Sequence, residues 1–366
     1  MHNDIKTIIT EMQGSFYERD RIIKAAWAAL LSGQHMLLLG VPGTAKSLLV
    51  QALCKRIQDA SYFQWLLTRF STPEELFGPV SLRGLENDDY RRITDGKLPQ
   101  ANIAFVDEIF KGNAAILNSL LTVVNERQFD NGKQRLSVPL ISMFGASNEL
   151  PQEEELSALY DRFILRFDVP YIQEGSHWEA LLMGDDNSPD NETTITITQI
   201  FNAQNEVRKV QMTKEVVTIM REIKMKLERE GLVASDRRWK QTVGVLRAWA
   251  WLDGRGQVEK QDLELLCDML WQEPEQRAAI VSIVLAITNP LDLTATKMYD
   301  DLKDVYAKWN KADSASTNET AAKLRLAMEK LDETIKTGRE DMLIKTRSVR
   351  VSLGEWYREI VKSMDI

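Results

Sequence analysis

Two short stretches of this chain carry the residue types that handle a phosphate anion. In Met36–Ser47, MLLLGVPGTAKS, the apolar run Met36–Leu39 predicts a buried strand that ends at Gly40. Pro42 and Gly43 then turn the chain, and a helix opens at Lys46–Ser47 and runs to about Ile57. Glycines let a backbone turn its amides toward an anion, and the following helix brings its positive N-terminus to the same point. Gly40, Pro42, Gly43, Thr44, Ala45 and Leu48 would form the cradle. Lys46 would meet the β- and γ-phosphates, and Ser47 would hold Mg²⁺ through its hydroxyl. The strict pattern G-x-x-x-x-G-K-[ST] fails at one place, because Ala45 stands where the second glycine belongs. The reading accommodates alanine there with a negative φ, as in the first turn of a helix.

The second stretch is Asn102–Glu108, NIAFVDE. Ile103–Val106 reads as a parallel strand covered on both faces, and ligands sit at the carboxyl ends of such strands. Asp107 would hold the Mg²⁺ shell, and Glu108 would orient and deprotonate an attacking water. Two adjacent acids alone cap strands for solubility; downstream of a phosphate loop they read as catalytic. A third strand, Leu140–Ala146, ends in Ser147-Asn148. Asn148 there is either a γ-phosphate or water ligand or a turn residue.

The elements that must position these residues follow from pattern. Residues 4–32 read as helix, with Ile22, Ile23, Ala26, Trp27, Leu30 and Leu31 on one face and a break at Gly14. The piece Phe16–Asp20 starts the longer helix and lies either beside a bound base or against the core. Tyr62–Leu67 reads as a strand. Thr72-Pro73-Glu74-Glu75 predicts a helix start, with Thr72 as N-cap and Glu75 closing a capping box. Val80–Ile93 reads as a polar hairpin with Asn87-Asp88-Asp89 at its tip, and Asp130-Asn131-Gly132 turns a second hairpin. Ala114–Asn125 and Leu156–Asp161 read as helices, and Phe163–Phe167 as a strand. GDDNSPDNETT is a loop, after which Met212–Leu285 reads as a helical bundle. Within it Ser235-Asp236 caps the helix that carries Arg237 and Arg238. Two arginines at a helix N-terminus oppose its dipole, which favours a functional reason such as phosphate binding. Beyond residue 293, helical stripes around Leu302, Tyr306 and Trp309, around Leu324 and Leu331, and around Leu353, Trp356 and Ile360 predict two or three long helices with a turn at Ala312–Asn318. They form either a contact surface for a partner or a cap packed on the bundle.

Composition bounds the rest. A 366-residue chain that is 44% hydrophobic and 27% charged is ordinary for a soluble protein of two or three domains. A net charge of −8 argues against a protein that coats nucleic acid. Cys54 and Cys267 lie far apart and read as two reduced, buried thiols, and His2, His35 and His177 show no metal-ligand spacing. No apolar run is long enough to span a membrane, and the expected compartment is the cytoplasm.

Residues 15–272 resemble the MoxR family of AAA+ ATPases, and most closely its RavA branch. The resemblance rests on LLLGVPGTAKS, TRFSTPEELFGP, IAFVDEI, ILNSLLTVVNERQF, ASNELP, LYDRF and SDRRWK, in that order. It implies an α/β fold: an AAA+ P-loop parallel-sheet core over residues 1–190, an all-α lid over 191–288 and a C-terminal helical domain over 289–366. The inserted β-rich domain of RavA is missing. Lys46 and Ser47 then match Walker A, Asp107 and Glu108 Walker B, and Asn148 sensor 1. Arg162 stands where an arginine finger reaches a neighbouring subunit's nucleotide, with Arg166 and Arg127 as competing candidates. Arg237 matches sensor 2, with Arg238 adjacent and inseparable from it by sequence. Phe77–Ile93 corresponds to the helix-2 insert and Arg127–Leu136 to the hairpin before sensor 1, both facing a central pore. The implied cofactors are ATP or ADP and Mg²⁺. The implied assembly is a homo-oligomeric, hexameric ring that remodels a protein client, with a von Willebrand factor A partner. The alternative is an AAA+ motor or loader on nucleic acid, which the acidic balance and the lack of a helix-turn-helix or winged module disfavour.

Overall fold

The computed structural model describes residues 2–151, 154–184, 192–310, 313–337 and 344–364. The chain opens with α1 (His2–Ser15), α2 (Asp20–Ser32), β1 (His35–Leu39) and α3 (Lys46–Lys55). Next come β2 (Ile57–Gln58), β3 (Tyr62–Leu66), α4 (Pro73–Phe77), α5 (Leu82–Leu85), β4 (Ile103–Asp107) and α6 (Ala114–Glu126). A hairpin of β5 (Gln128–Asn131) and β6 (Gln134–Ser137) leads to β7 (Ser142–Ser147), α7 (Glu154–Tyr160), β8 (Phe163–Asp168) and α8 (Gly175–Met183). Then follow β9 (Ile195–Thr196), α9 (Ile197–Val207), α10 (Lys214–Arg229) and α11 (Asp236–Leu252). The helices α12 (Pro274–Thr288), α13 (Pro290–Ala307), α14 (Ser314–Thr337) and α15 (Ile344–Met364) end the described chain.

The central sheet runs β3-β4-β7-β1-β8 with every pairing parallel. Every residue of β1 and β7 is buried, as expected of parallel strands with helices on both faces. Two further two-stranded pairs, β2 with β9 and β5 with β6, lie outside this sheet.

The chain forms two compact units whose segments alternate along the sequence. The first takes the described residues through Lys214 together with Ala234–Val258 and Asp268–Leu270, so α9 and α11 pack with the sheet. Both lie against α2: Gln204 donates to the Leu30 carbonyl at 2.8 Å, and Lys24 Nζ sits 4.0 Å above the Trp249 ring. The buried face of α11 holds Arg238, Thr242, Val245, Leu246 and Leu252, while Trp239, Val243 and Trp249 are only half-buried. The second unit contains α10 and α12–α15. Leu302, Leu324, Leu331, Val349, Leu353 and Ile360 form its core, and Asp292 ties α13 to α15 by accepting from Thr346 N at 2.8 Å and Thr346 Oγ1 at 2.7 Å. The C-terminal helices are therefore three.

Several local expectations change. Gly14 lies inside α1, and the break falls after Ser15. The capping box at Thr72 does not close, because the Glu75 carboxylate instead accepts from Trp65 Nε1 at 3.1 Å. Val80–Ile93 is not a two-stranded hairpin: Val80 and Arg92 form one antiparallel bridge around the single turn of α5. Within the stretch expected as a helical bundle, Lys260–Asp268 is 3₁₀. Most of GDDNSPDNETT, and Ala312 of the expected turn, lie outside the described residues. Cys54 and Cys267 are both buried, and neither is in a disulfide.

Candidate nucleotide site

Three neighbouring strand ends carry the predicted chemistry. β1, β7 and β4 are adjacent, with Leu39 opposite Ser147 and Val106 opposite Gly145. Gly40, Asn148 and the Asp107–Glu108 pair thus emerge from one edge of the sheet, on strands about 4.8 Å apart. This is the carboxyl edge, where a parallel sheet places its ligands.

The loop after β1 is shaped as an anion nest. Gly40 has φ +145, and a Cβ there would come within 2.5 Å of the Val169 carbonyl oxygen, so only glycine fits. Gly43 and Ala45 both take the left-handed region, with φ +83 and φ +63. The negative φ expected at Ala45 is therefore wrong. Left-handed residues alternating with right-handed ones turn successive amides to one side, and that concavity binds anions. The amides of Ala45, Lys46 and Ser47 meet no acceptor among the described residues. Lys46 Nζ folds back onto the loop, donating to the carbonyls of Gly40 and Val41, each at 2.8 Å. Burial pulls its ammonium below the usual lysine range, against the opposing charges of Asp107 and Glu108. Thr44 is buried and donates to Val41 O at 3.1 Å, while Pro42 and Leu48 are exposed beside the nest.

Asp107 Oδ1 accepts the Glu108 amide at 3.0 Å. Glu108 itself is left-handed, with φ +51, and its Oε2 is buried without a hydrogen-bond partner, 3.2 Å from Lys111 Nζ. A buried carboxylate oxygen with unused acceptor capacity is what a water-activating base requires. Ser47 and Asp107 supply hard oxygen donors of the kind Mg²⁺ takes when phosphates and waters complete its shell. No larger metal-holding group of His, Cys, Asp and Glu occurs among the described residues. Asn148 is exposed at its strand end.

The five candidate arginines separate clearly. Arg166 is fully buried; its Nε donates to Phe163 O at 3.1 Å and its Nη2 to Tyr160 O at 3.0 Å, so it offers nothing to a neighbour. Arg127 is likewise committed, donating to Val124 O, Gly33 O and Ile141 O, and burial brings its guanidinium down to about 10. Neither is a finger. Arg238, expected to bind the cofactor, is fully buried and donates to the carbonyls of Met269, Phe163 and Ile164 and to Asp161 Oδ1. It cannot contact a nucleotide. Arg237 is exposed, and its Nη2 donates to Asn125 Oδ1 at 3.1 Å. Arg162 makes no side-chain hydrogen bond or ion pair with the described residues, and its Nε is buried. His35 opposes Phe163 at the amino edge of the sheet, so Arg162 stands about 15 Å along the strands from its own phosphate loop. Arg237 shares that amino edge, because Asn125 lies in the last turn of α6, and Arg127 just beyond that helix reaches His35.

The sequence reading missed a polar clamp beside the nest. Tyr171 donates its hydroxyl to Pro42 O at 3.3 Å. The Glu18 carboxylate accepts the amides of Gln173 and Glu174, each at 2.9 Å, and lies 3.3 Å from His177 Nδ1. Burial alone would raise the Glu18 carboxyl, yet these amide bonds hold it below the usual range. Tyr17 stacks on His177 at 5.3 Å. The clamp joins Phe16–Asp20, the piece suspected of lying beside a base, to the chain leaving β8.

A parallel sheet with an anion nest at one strand end and an acid pair two strands away defines a P-loop nucleotide-binding protein. Residues 3–211 match the model described as the MoxR domain in the MoxR-vWA-beta-propeller ternary systems, and residues 215–284 match an AAA lid domain. The chain belongs to the MoxR family of AAA+ ATPases. It is similar to two uncharacterized proteins of Methanocaldococcus jannaschii, 39% identical over 84% of this chain and 83% of the relative, and 40% identical over 79% and 75%. It is also 27% identical to the chaperone MoxR1 of Mycobacterium tuberculosis, over 46% of this chain and 44% of that one. A solved structure from Cytophaga hutchinsonii shares the fold with a TM-score of 0.64 at 22% identity, covering 79% of this chain and 95% of the other. The matched model names the MoxR domain of ternary systems and not the RavA branch. Among the described residues, no helix is long and apolar enough to cross a membrane.

Proposed function

We propose that this chain hydrolyses ATP in a cytoplasmic ring, six-membered as in the RavA-like proteins it resembles, and uses the resulting movement to remodel a protein client. The observation that carries this reading is the meeting of the amide nest, the acid pair and Asn148 at adjacent strand ends. In this mechanism the amides of Ala45–Ser47 and the Lys46 ammonium hold the β- and γ-phosphates, which requires Lys46 to leave the loop carbonyls. Ser47 and Asp107 would hold Mg²⁺, which would neutralise phosphate charge when bound. Glu108 accepts a proton from the attacking water, Asn148 orients that water, and Tyr171 with the Glu18 clamp borders the base. Arg162 and Arg237 stand at the edge far from their own loop, and this supports their action on a neighbour's triphosphate. The MoxR-vWA-beta-propeller systems of the matched family point to a von Willebrand factor A partner. The chain's acidity gives no support to a nucleic-acid track.

Two variants test the reading. Lys46→Ala should lose ATP binding in equilibrium titration. Glu108→Gln should keep binding while turnover falls by about 10²–10⁴, the contribution of a placed general base. Undiminished phosphate release by Glu108→Gln would remove that glutamate from the mechanism.

A further inference from the structure

Arg238 is a paradox as a structural residue. Its guanidinium is fully buried, and beside it lies a second fully buried guanidinium, that of Arg166. Burial pushes Arg166 down to about 9, and the charge of Arg238 pushes the same way. If packing were the only purpose, apolar side chains of similar volume would serve as well or better. Both arginines close on one short turn. Arg238 Nη1 reaches Asp161 Oδ1 at 3.1 Å, and its Nη2 reaches Phe163 O at 3.3 Å and Ile164 O at 3.2 Å. Arg166 takes Phe163 O and Tyr160 O from the other side, and its guanidinium carbon lies 3.7 Å from the Tyr160 ring centroid. Every backbone carbonyl they hold between 160 and 164 flanks Arg162, whose own side chain they leave untouched.

We infer that Arg238, with Arg166 behind it, is a positioning residue that brackets the Tyr160–Ile164 turn so that Arg162 stands in one orientation toward a neighbouring subunit. This rests on the reading that Arg162 acts in trans. The planar fork of arginine is needed, because lysine cannot hold a carboxylate and two carbonyls from fixed directions. A displacement of the order of 1 Å at a reacting centre costs up to about 10² in rate. Arg238→Lys should therefore lower turnover at saturating ATP by about tenfold to a hundredfold with KM for ATP unchanged.

The decisive measurement is a mixed assembly of full-length chains, with co-assembly verified by mass. Arg238→Lys subunits keep an intact nest, and Lys46→Ala subunits keep an intact Arg162. Mixing the two, each nearly inactive alone, should restore phosphate release, because a sound turn then faces a sound nest. Arg162→Ala mixed with Lys46→Ala is run alongside. If the Arg162→Ala mixture recovers and the Arg238→Lys mixture does not, the bracket has no role in trans and the inference fails. If neither recovers, the trans reading of Arg162 is what fails. If Arg238→Lys does not fold, Asp161→Asn, which keeps the shape and loses the charge, takes its place in the same mixture. Full turnover by a folded Asp161→Asn, or by a folded Arg238→Lys alone, would also overturn the inference.

Discussion

At the residue scale, Ala45 and Glu108 show what the site asks of the backbone. Both are non-glycine residues in the left-handed region, which costs an L-residue roughly 1–2 kcal/mol. At Ala45 the strain turns the amides of the nest, so the conformation is required and the methyl is not. Ala45→Gly should relieve that strain while adding about 0.5–1 kcal/mol of unfolded-chain entropy. The net expectation is stability unchanged or raised by up to about 1 kcal/mol in denaturant unfolding, with nucleotide affinity retained. A bulkier and β-branched Ala45→Val should fail on both measures, because a branched Cβ is least tolerated at positive φ. At Glu108 the left-handed turn swings the carboxylate off the strand direction set by Asp107, as the separate tasks proposed for the two acids require.

At the element scale, β1 is tied to its surroundings through His35, where sequence and structure part company. Met143 N donates to His35 Nδ1 at 2.9 Å, and Nε2 lies 3.3 Å from Val124 O and 2.8 Å from Arg127 Nη1. A second proton on this ring would lose the Met143 bond and face a guanidinium. Burial first, and the Arg127 charge second, hold its pKa well below the ordinary value. The unfolded chain binds this proton below about pH 6.5 and the folded chain does not, so stability is lost as pH falls through that point, by up to about 1.4 kcal/mol per unit. Unfolding midpoints measured from pH 7.5 to 5.5 should fall accordingly, and His35→Gln should flatten the slope. None of this was visible in a lone histidine before an apolar run. The strands β1, β4 and β7 were legible because a strand buried on both faces is continuously apolar and stops abruptly at its polar ligands. The Val80–Ile93 segment was not, since a polar insert carries no periodicity to separate a hairpin from one helical turn. Arg238 was half-legible: it falls four residues before Thr242 and seven before Val245, on the inner face of α11, while Arg237 is turned about 100° away from it. Sequence alone treats the two arginines as inseparable at one helix N-terminus, although helical spacing already separates them.

At the scale of the whole molecule, the edges of the sheet divide the labour. The carboxyl edge gathers the nest, the acid pair and Asn148, the groups proposed to bind a triphosphate and activate water, and the amino edge holds Arg162 and Arg237. A strand length of about 15 Å separates the two edges, too far for one arginine to serve its own nest. If a finger supplied in trans contributes about 10³–10⁵ in rate, an isolated chain should bind ATP normally and turn it over that much more slowly. Specific activity should then rise steeply with protein concentration and level off where assembly is complete, with both followed on the same samples by phosphate release and mass measurement. Arg162→Ala should assemble along the same curve and stay at the floor. Salt should shift the curve for the wild type, since charges meeting across a subunit boundary are screened over about 8–10 Å at ordinary ionic strength. A specific activity independent of concentration, down to samples shown to be monomeric, would mean that the active centre is complete within one chain. Arg162 and Arg237 would then belong to some other contact.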